Sequence, residues 1–163
     1  MRNAVFSILV ENSTGVLSRV SGLFTRRGYN IESITAGYLL DEGLTRITIA
    51  TSGDDAVLEQ IQKQLAKLID VKEIRELPSD SSVIRELMLI KVRCDAATRK
   101  DILSIVDIFR ANIVDAGPES MIIEITGEQD KLHAFIELLR DFKIEEIART
   151  GITALERGAS VLK

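Results

Sequence analysis

Few side chains in this sequence are of kinds that carry out chemistry, and they are scattered. His133 is the only histidine. It stands beside Leu132 in a run that alternates face, which reads as a solvated helix histidine rather than a catalyst. Cys94 lies between Arg93 and Asp95 with no histidine nearby in sequence to activate it, and reads as a structural thiol at a strand end. There is no Cys/His cluster and no His-x-x-x-His spacing, so no transition-metal site is expected. Asp54-Asp55 and Glu145-Glu146 fall at element ends. Carboxylates there serve helix dipoles and solubility rather than general acid/base work. No Gly-x-Gly-x-x-Gly run or phosphate loop occurs. No catalytic residue and no cofactor site is expected in this chain.

A small binding constellation remains. Glu11-Asn12-Ser13-Thr14-Gly15-Val16-Leu17 joins an apolar run to an amphipathic one. Asn12, Ser13 and Thr14 are helix-capping types. Gly15 lets a ligand or a second backbone come close. The N–H groups of Gly15, Val16 and Leu17 would face outward at the positive end of a helix dipole, which suits a carboxylate. Asn30 follows Gly28-Tyr29 and offers both a donor and an acceptor. Together these suit a zwitterionic amino acid, whose carboxylate needs donors and whose ammonium needs acceptors. The same stretch would also serve as an ordinary capped loop.

The elements that must position these residues follow from periodicity. Ala4 to Val10 reads as a buried strand. Val16, Leu17, Val20, Leu23 and Phe24 fall at helical spacing, and Gly28 ends that helix near Arg27. Tyr29 to Gly37 and Leu44 to Thr51 read as strands around a turn at Asp41-Glu42-Gly43. Leu58, Ile61, Leu65 and Leu68 mark a second helix, and Val71 to Leu77 a fourth strand. Pro78-Ser79-Asp80-Ser81-Ser82 is a polar break. The order then returns: strand Leu87 to Val92, helix Ala97 to Phe109, strands Asn112 to Asp115 and Met121 to Thr126, helix Glu128 to Phe142, and strand Ile144 to Ile152.

The halves superpose in sequence at their last helices. Setting Gly127 on Gly53 puts Leu132 on Leu58, Phe135 on Ile61, Leu139 on Leu65 and Phe142 on Leu68 without a gap. The expected fold is α+β, two tandem ferredoxin-like βαββαβ domains, at 1–78 and 83–163. Right-handed crossovers leave the second strand at a sheet edge, an unpaired ladder suited to a partner.

Composition narrows the function classes. A formal charge of -4 and a pI near 5.2 do not invite a nucleic-acid backbone. Aromatics at 4% are too scarce for base-stacking platforms. No run of 18 apolar residues occurs, so no membrane span is expected. A single cysteine and a strand pattern starting right after Met1-Arg2-Asn3 fit a reducing cytosol with no signal peptide, so the expected location is cytoplasmic.

The run Glu11 to Val20, with Gly22-Leu23-Phe24 and Arg27-Gly28-Tyr29-Asn30-Ile31-Glu32-Ser33, resembles the small, regulatory subunit of acetohydroxyacid synthase, also called acetolactate synthase. Arg85 to Val92, Ile108-Phe109-Arg110 and Ala148-Arg149-Thr150-Gly151 are similar to the same family. The resemblance covers nearly the whole chain and implies that the first domain is an ACT domain. It implies an effector, valine or in some members leucine or isoleucine, held between two ACT domains. Asn12, Gly15, Val16 and Leu17 match the family's loop on one side, and Asn30 and Ile31 its strand on the other. Position 37 is glycine where some relatives carry alanine, which bears on pocket size. The resemblance also implies a homodimer through the ACT domains. Its implied partner is a large catalytic subunit that uses thiamine diphosphate, Mg2+ and FAD. The alternative is a free-standing ACT-type amino-acid sensor with another partner. No helix-turn-helix segment is left over to make that sensor a DNA binder.

Overall fold

The first strand, Arg2–Glu11 (β1), is buried from Ala4 to Val10. Such a run, without the polar alternation of a half-exposed strand, requires cover on both faces. The computed structural model, which describes residues 1–41 and 43–162, provides it. Phe6, Ile8 and Val10 point toward two helices, Val16–Arg27 (α1) and Asp55–Leu65 (α2). Val5 points the other way, into a smaller cluster.

The chain divides into two compact units. One holds residues 1–84 together with the tail that begins at Ile152; the other is Arg85–Gly151. In the first unit the strands are β1, Ser33–Tyr38 (β2), Leu44–Gly53 (β3) and Val71–Glu76 (β4), in the antiparallel order β2-β3-β1-β4. Ile8 faces Ile47 and Phe6 faces Ile49 across β1 and β3. These side chains meet Val20, Leu23 and Phe24 of α1 and Leu58, Ile61 and Leu65 of α2. At roughly 1.5–3 kcal/mol for each fully buried large apolar side chain, this layer is the main favourable term for the unit.

Gly28 closes α1 in the left-handed conformation, φ 69°, after two basic residues in the last turn. Asp54 caps α2 by accepting from the Val57 N–H at 2.8 Å.

The second unit repeats the order with Ser82–Arg93 (β5), Arg99–Ile108 (α3), Asn112–Ala116 (β6), Ser120–Gly127 (β7), Gln129–Leu139 (α4) and Ile144–Arg149 (β8). Its sheet order is β6-β7-β5-β8. The fold is therefore α+β with two βαββαβ units, as the repeat implies. Leu132, Phe135 and Leu139 are buried as Leu58, Ile61 and Leu65 are. The glycines that register the repeat share a reason. A Cβ on Gly53 would stand 2.9 Å from Val57 Cγ1, and one on Gly127 2.7 Å from Lys131 Cδ, so each lets the next helix pack close.

Several features differ from the sequence reading. β2 begins at Ser33 rather than Tyr29. The last strand does not run to Ile152: β8 stops at Arg149, and Gly151 turns the chain with φ 85°. A ninth strand then follows, Thr153–Glu156 (β9), which pairs with β5, whose residues 82–84 belong to the first unit. The tail lies with the first unit, not the second. Ile152 and Ala154 pack on Val5, Ala50 and Leu77, and the Ile152 N–H and C=O bond to Ser33 Oγ and Thr35 Oγ1. The Asp41-Glu42-Gly43 turn is seen only at its ends, since Glu42 lies outside the described residues. There the Gly43 N–H donates to Asp41 Oδ1 at 2.9 Å.

Candidate functional site

The polar loop opens α1 through Gly15, at φ 84° and ψ 2°, with no side-chain cap and no acidic residue in the first helical turn. Among the described residues, the N–H groups of Gly15 and Leu17 meet no acceptor within the chain. Val16 is the exception to the expected row of free amides. Its N–H donates to Ser13 O at 3.3 Å and its side chain is in the core, at 9% exposure. Leu17 is 46% exposed and leaves an apolar side chain at the loop's rim. Asn12 is exposed, and its main-chain N–H donates to Gly43 O at 2.8 Å.

The loop is held by residues that sequence reading did not select. Asp70, buried just before β4, accepts from Arg19 Nε at 2.6 Å and Nη2 at 2.8 Å, and from Ser13 Oγ at 2.8 Å. Arg19 Nη1 also donates to Thr14 O at 3.3 Å. The Arg19 and Ser13 donors hold the Asp70 carboxyl below the usual carboxylate range. The pair clamps the turn around Gly15. A run of Arg19 to Asp70 spans 51 residues, so no local spacing announces it.

Asn30 stands at the other end of α1. Its carbonyl accepts from Thr51 Oγ1 at 2.5 Å, while its side-chain amide is exposed and meets no partner among the described residues. Ile31 is partly buried against the core. A helix of 12 residues is about 18 Å long at 1.5 Å per residue. The structure thus places Asn12, Gly15 and Leu17 at one end of the helix and Asn30 and Ile31 at the other. One chain does not bring the two groups together. β2 is an edge strand of this sheet, and a Cβ on its Gly37 would meet no atom within 4 Å.

The second unit offers an internal comparison. Counted from the matched core residues Val20 and Ile102, Ala97 stands where Gly15 does and Asp95 where Ser13 does. Asp95 Oδ1 accepts from the Ala97 N–H at 2.9 Å, the Thr98 N–H at 2.8 Å and Thr98 Oγ1 at 3.1 Å. The Thr98 N–H and hydroxyl, then the Ala97 N–H, hold that carboxyl below its usual range. An internal carboxylate therefore fills amides at this loop, whereas among the described residues none fills those of Gly15 and Leu17 in the first unit.

Cys94 is buried and unpaired at the end of β5, and His133 is exposed on α4. Among the described residues no group of three or more His, Cys, Asp or Glu is placed to hold a metal ion. No helix of the described residues is long and apolar enough to cross a membrane.

The fold and the loop are those of an ACT-type unit. Residues 6–73 match the family described as AHAS small subunit-like ACT domain. Residues 85–158 match that described as small subunit of acetolactate synthase. The chain is 50% identical over 159 residues to the probable acetolactate synthase small subunit of Methanothermobacter thermautotrophicus, covering 97% of this chain and 95% of that one. It is 44% identical over 160 residues to the isozyme 3 small subunit of Escherichia coli, covering 98% of each. The crystal structure of the Thermotoga maritima acetolactate synthase small subunit superposes with a TM-score of 0.91 at 45% identity, covering 98% of this chain and all of that one. The chain belongs to the family of acetolactate synthase small subunits.

Proposed function

We propose that this chain activates a separate catalytic acetolactate synthase subunit and subjects it to feedback inhibition by valine. The observation that carries the effector site is the N-terminus of α1, where the Gly15 N–H has no acceptor among the described residues, whereas in the second unit the equivalent Ala97 N–H is taken by Asp95. The valine carboxylate would accept from the Gly15 and Leu17 N–H groups. Its ammonium would be met by the Asn30 side-chain carbonyl of a second copy, since one chain separates Asn30 from Gly15 by the length of α1. Pairing of two β2 edges about a two-fold axis would build two equivalent sites, each with Asn12, Gly15 and Leu17 from one chain and Asn30 and Ile31 from the other. Leucine or isoleucine would enter the same site if its apolar end allows their longer side chains, and Gly37 leaves room there.

Regulation then follows from differential binding: valine stabilises the arrangement of the paired domains that the inhibited complex requires. A coupling of roughly 1–3 kcal/mol suffices. Few atoms contact the protein, so the dissociation constant should lie at roughly micromolar to millimolar. By family, the catalytic subunit condenses pyruvate with pyruvate or 2-oxobutyrate and supplies thiamine diphosphate, Mg2+ and FAD. Affinity purification of the tagged chain from its own cells tests the partner. A large thiamine-dependent subunit should come with it; recovery of the chain with a different partner instead would favour a free-standing amino-acid sensor.

A further inference from the structure

The outer face of the first sheet, away from α1 and α2, would ordinarily meet water. Three polar side chains on adjacent strands share that face: Arg46 on β3, Ser7 on β1 and Arg75 on β4. Ser7 lies directly opposite Arg75, and Arg46 is opposite Leu9, diagonal to Ser7. Yet Ser7 is only 1% exposed and Arg46 is half-buried, because the tail beyond β9 crosses above them. Between face and tail lies a cavity of about 220 Å³, walled by Leu77, Leu155, Val161 and Leu162 as well as by these polar groups.

The two guanidinium groups differ in what they hold. Arg75 is committed: it donates to Glu156 at 2.6 Å, Glu73 at 2.8 Å, Ser160 Oγ at 2.7 Å and Val161 O at 3.2 Å. Arg46 donates only to Ser7 Oγ, at 2.7 Å, and among the described residues no carboxylate lies within 4.0 Å of it. Burial and the nearby charge of Arg75 both disfavour the charged form of Arg46, and Glu73 opposes them only through space. A half-buried guanidinium has five N–H donors in a planar fork; Arg46 lines the cavity, and among the described residues only Ser7 Oγ accepts from it.

We propose that this cavity binds a small aliphatic carboxylate, its carboxyl group on the fork of Arg46 and its hydrocarbon end against Leu77, Leu155 and Leu162. A carboxylate matches the fork with two parallel bonds. A phosphate dianion fits less well, because Arg75 is already neutralised and Glu156 borders the cavity. An α-amino acid fits less well, because its ammonium would stand beside Arg46, and Glu156, the carboxylate that borders the cavity, is already paired with Arg75. The volume of about 220 Å³ suits a small molecule rather than a macromolecular segment. The site is separate from the Gly15 loop, so it stands whether or not valine binds there.

Titration of the full chain with isovalerate, followed by NMR, tests the proposal. Saturable shifts are expected at the Arg46 Nε–H and at the amides of Ser7 and Leu155. Arg46→Gln should weaken the binding at least tenfold, and Arg46→Lys, which keeps the charge without the fork, should weaken it less. Neither valine nor inorganic phosphate should displace isovalerate at equal concentration. The absence of saturation in the wild-type chain would overturn the proposal, even if the variants failed to fold. Displacement by phosphate would overturn the choice of an aliphatic carboxylate, and displacement by valine the separateness of the site.

Discussion

The guanidinium of Arg19 lies over Gly15: its Nη1 stands 3.0 Å from the point where a Cβ on Gly15 would sit. The same guanidinium is fixed by two bonds to Asp70. Position 15 therefore sits against a held cation, in a turn whose Gly15 and Leu17 N–H groups have no acceptor among the described residues. A side chain there must either push Arg19 off Asp70 or turn into the space proposed for the effector. The backbone conformation adds to this, since φ 84° disfavours any residue with a Cβ by about 1–2 kcal/mol.

Gly15→Asp should accordingly fold, with a lower melting temperature, and lose valine. Its carboxylate would take the place of the ligand's carboxylate or draw Arg19 away from the clamp. Calorimetric titration with valine should show no binding at concentrations that saturate the wild-type chain. Unchanged affinity in a folded variant would remove Gly15 from the site.

Asn30→Ala should weaken valine binding by about 1–3 kcal/mol, the range for a lost hydrogen bond to a charged group. The fold should survive, because the bond that anchors this residue runs from Thr51 to its main-chain carbonyl and not to its side chain. A collapsed thermal transition in the variant would mean that the side chain is structural.

The Arg19–Asp70 clamp should show in the pH dependence of stability. The Asp70 carboxyl is held below its ordinary value, about 3.9 in an unfolded chain. Its contribution is thus complete at neutral pH, begins to fall near that ordinary value, and is gone below the folded value. The stability gap between wild type and Asp70→Asn, from urea unfolding, should be constant above about pH 5 and shrink as the pH falls below roughly 4. A gap that widens in acid would contradict the clamp.

Much of this fold could be read from periodicity. The apolar spacing of Leu58, Ile61 and Leu65 recurs in Leu132, Phe135 and Leu139, and all six are buried in matching places. The Gly15 loop and Asn30 were visible as residue types in suggestive positions. The clamp was not, because Arg19 and Asp70 meet only through the packing of α1 beside the start of β4. The ninth strand was missed because Ile144 to Ile152 reads as one apolar-polar run, and the left-handed turn at Gly151 that breaks it is a backbone property. The filled loop of the second unit is half legible: the sequence sets Asp95 beside Cys94, but the bonds to Ala97 and Thr98 belong to the turn itself.

Sharing of each site between two chains predicts complementation. When Gly15→Asp chains are mixed with Asn30→Ala chains and allowed to exchange, one site of each mixed dimer carries both lesions and the other carries neither. Valine binding should return at half the normal stoichiometry with near-normal affinity. Intact mixed dimers that bind no valine, with exchange verified by differently tagged chains, would refute the shared site.

The measurement that bears most directly on the regulatory role is acetolactate formation by the cognate catalytic subunit, with and without this chain, across a range of valine concentrations. The chain should raise the rate and make it fall as valine increases. With Gly15→Asp the rate should rise equally and stay insensitive to valine. A rate unaffected by the chain, or one that valine lowers equally in its absence, would contradict the account.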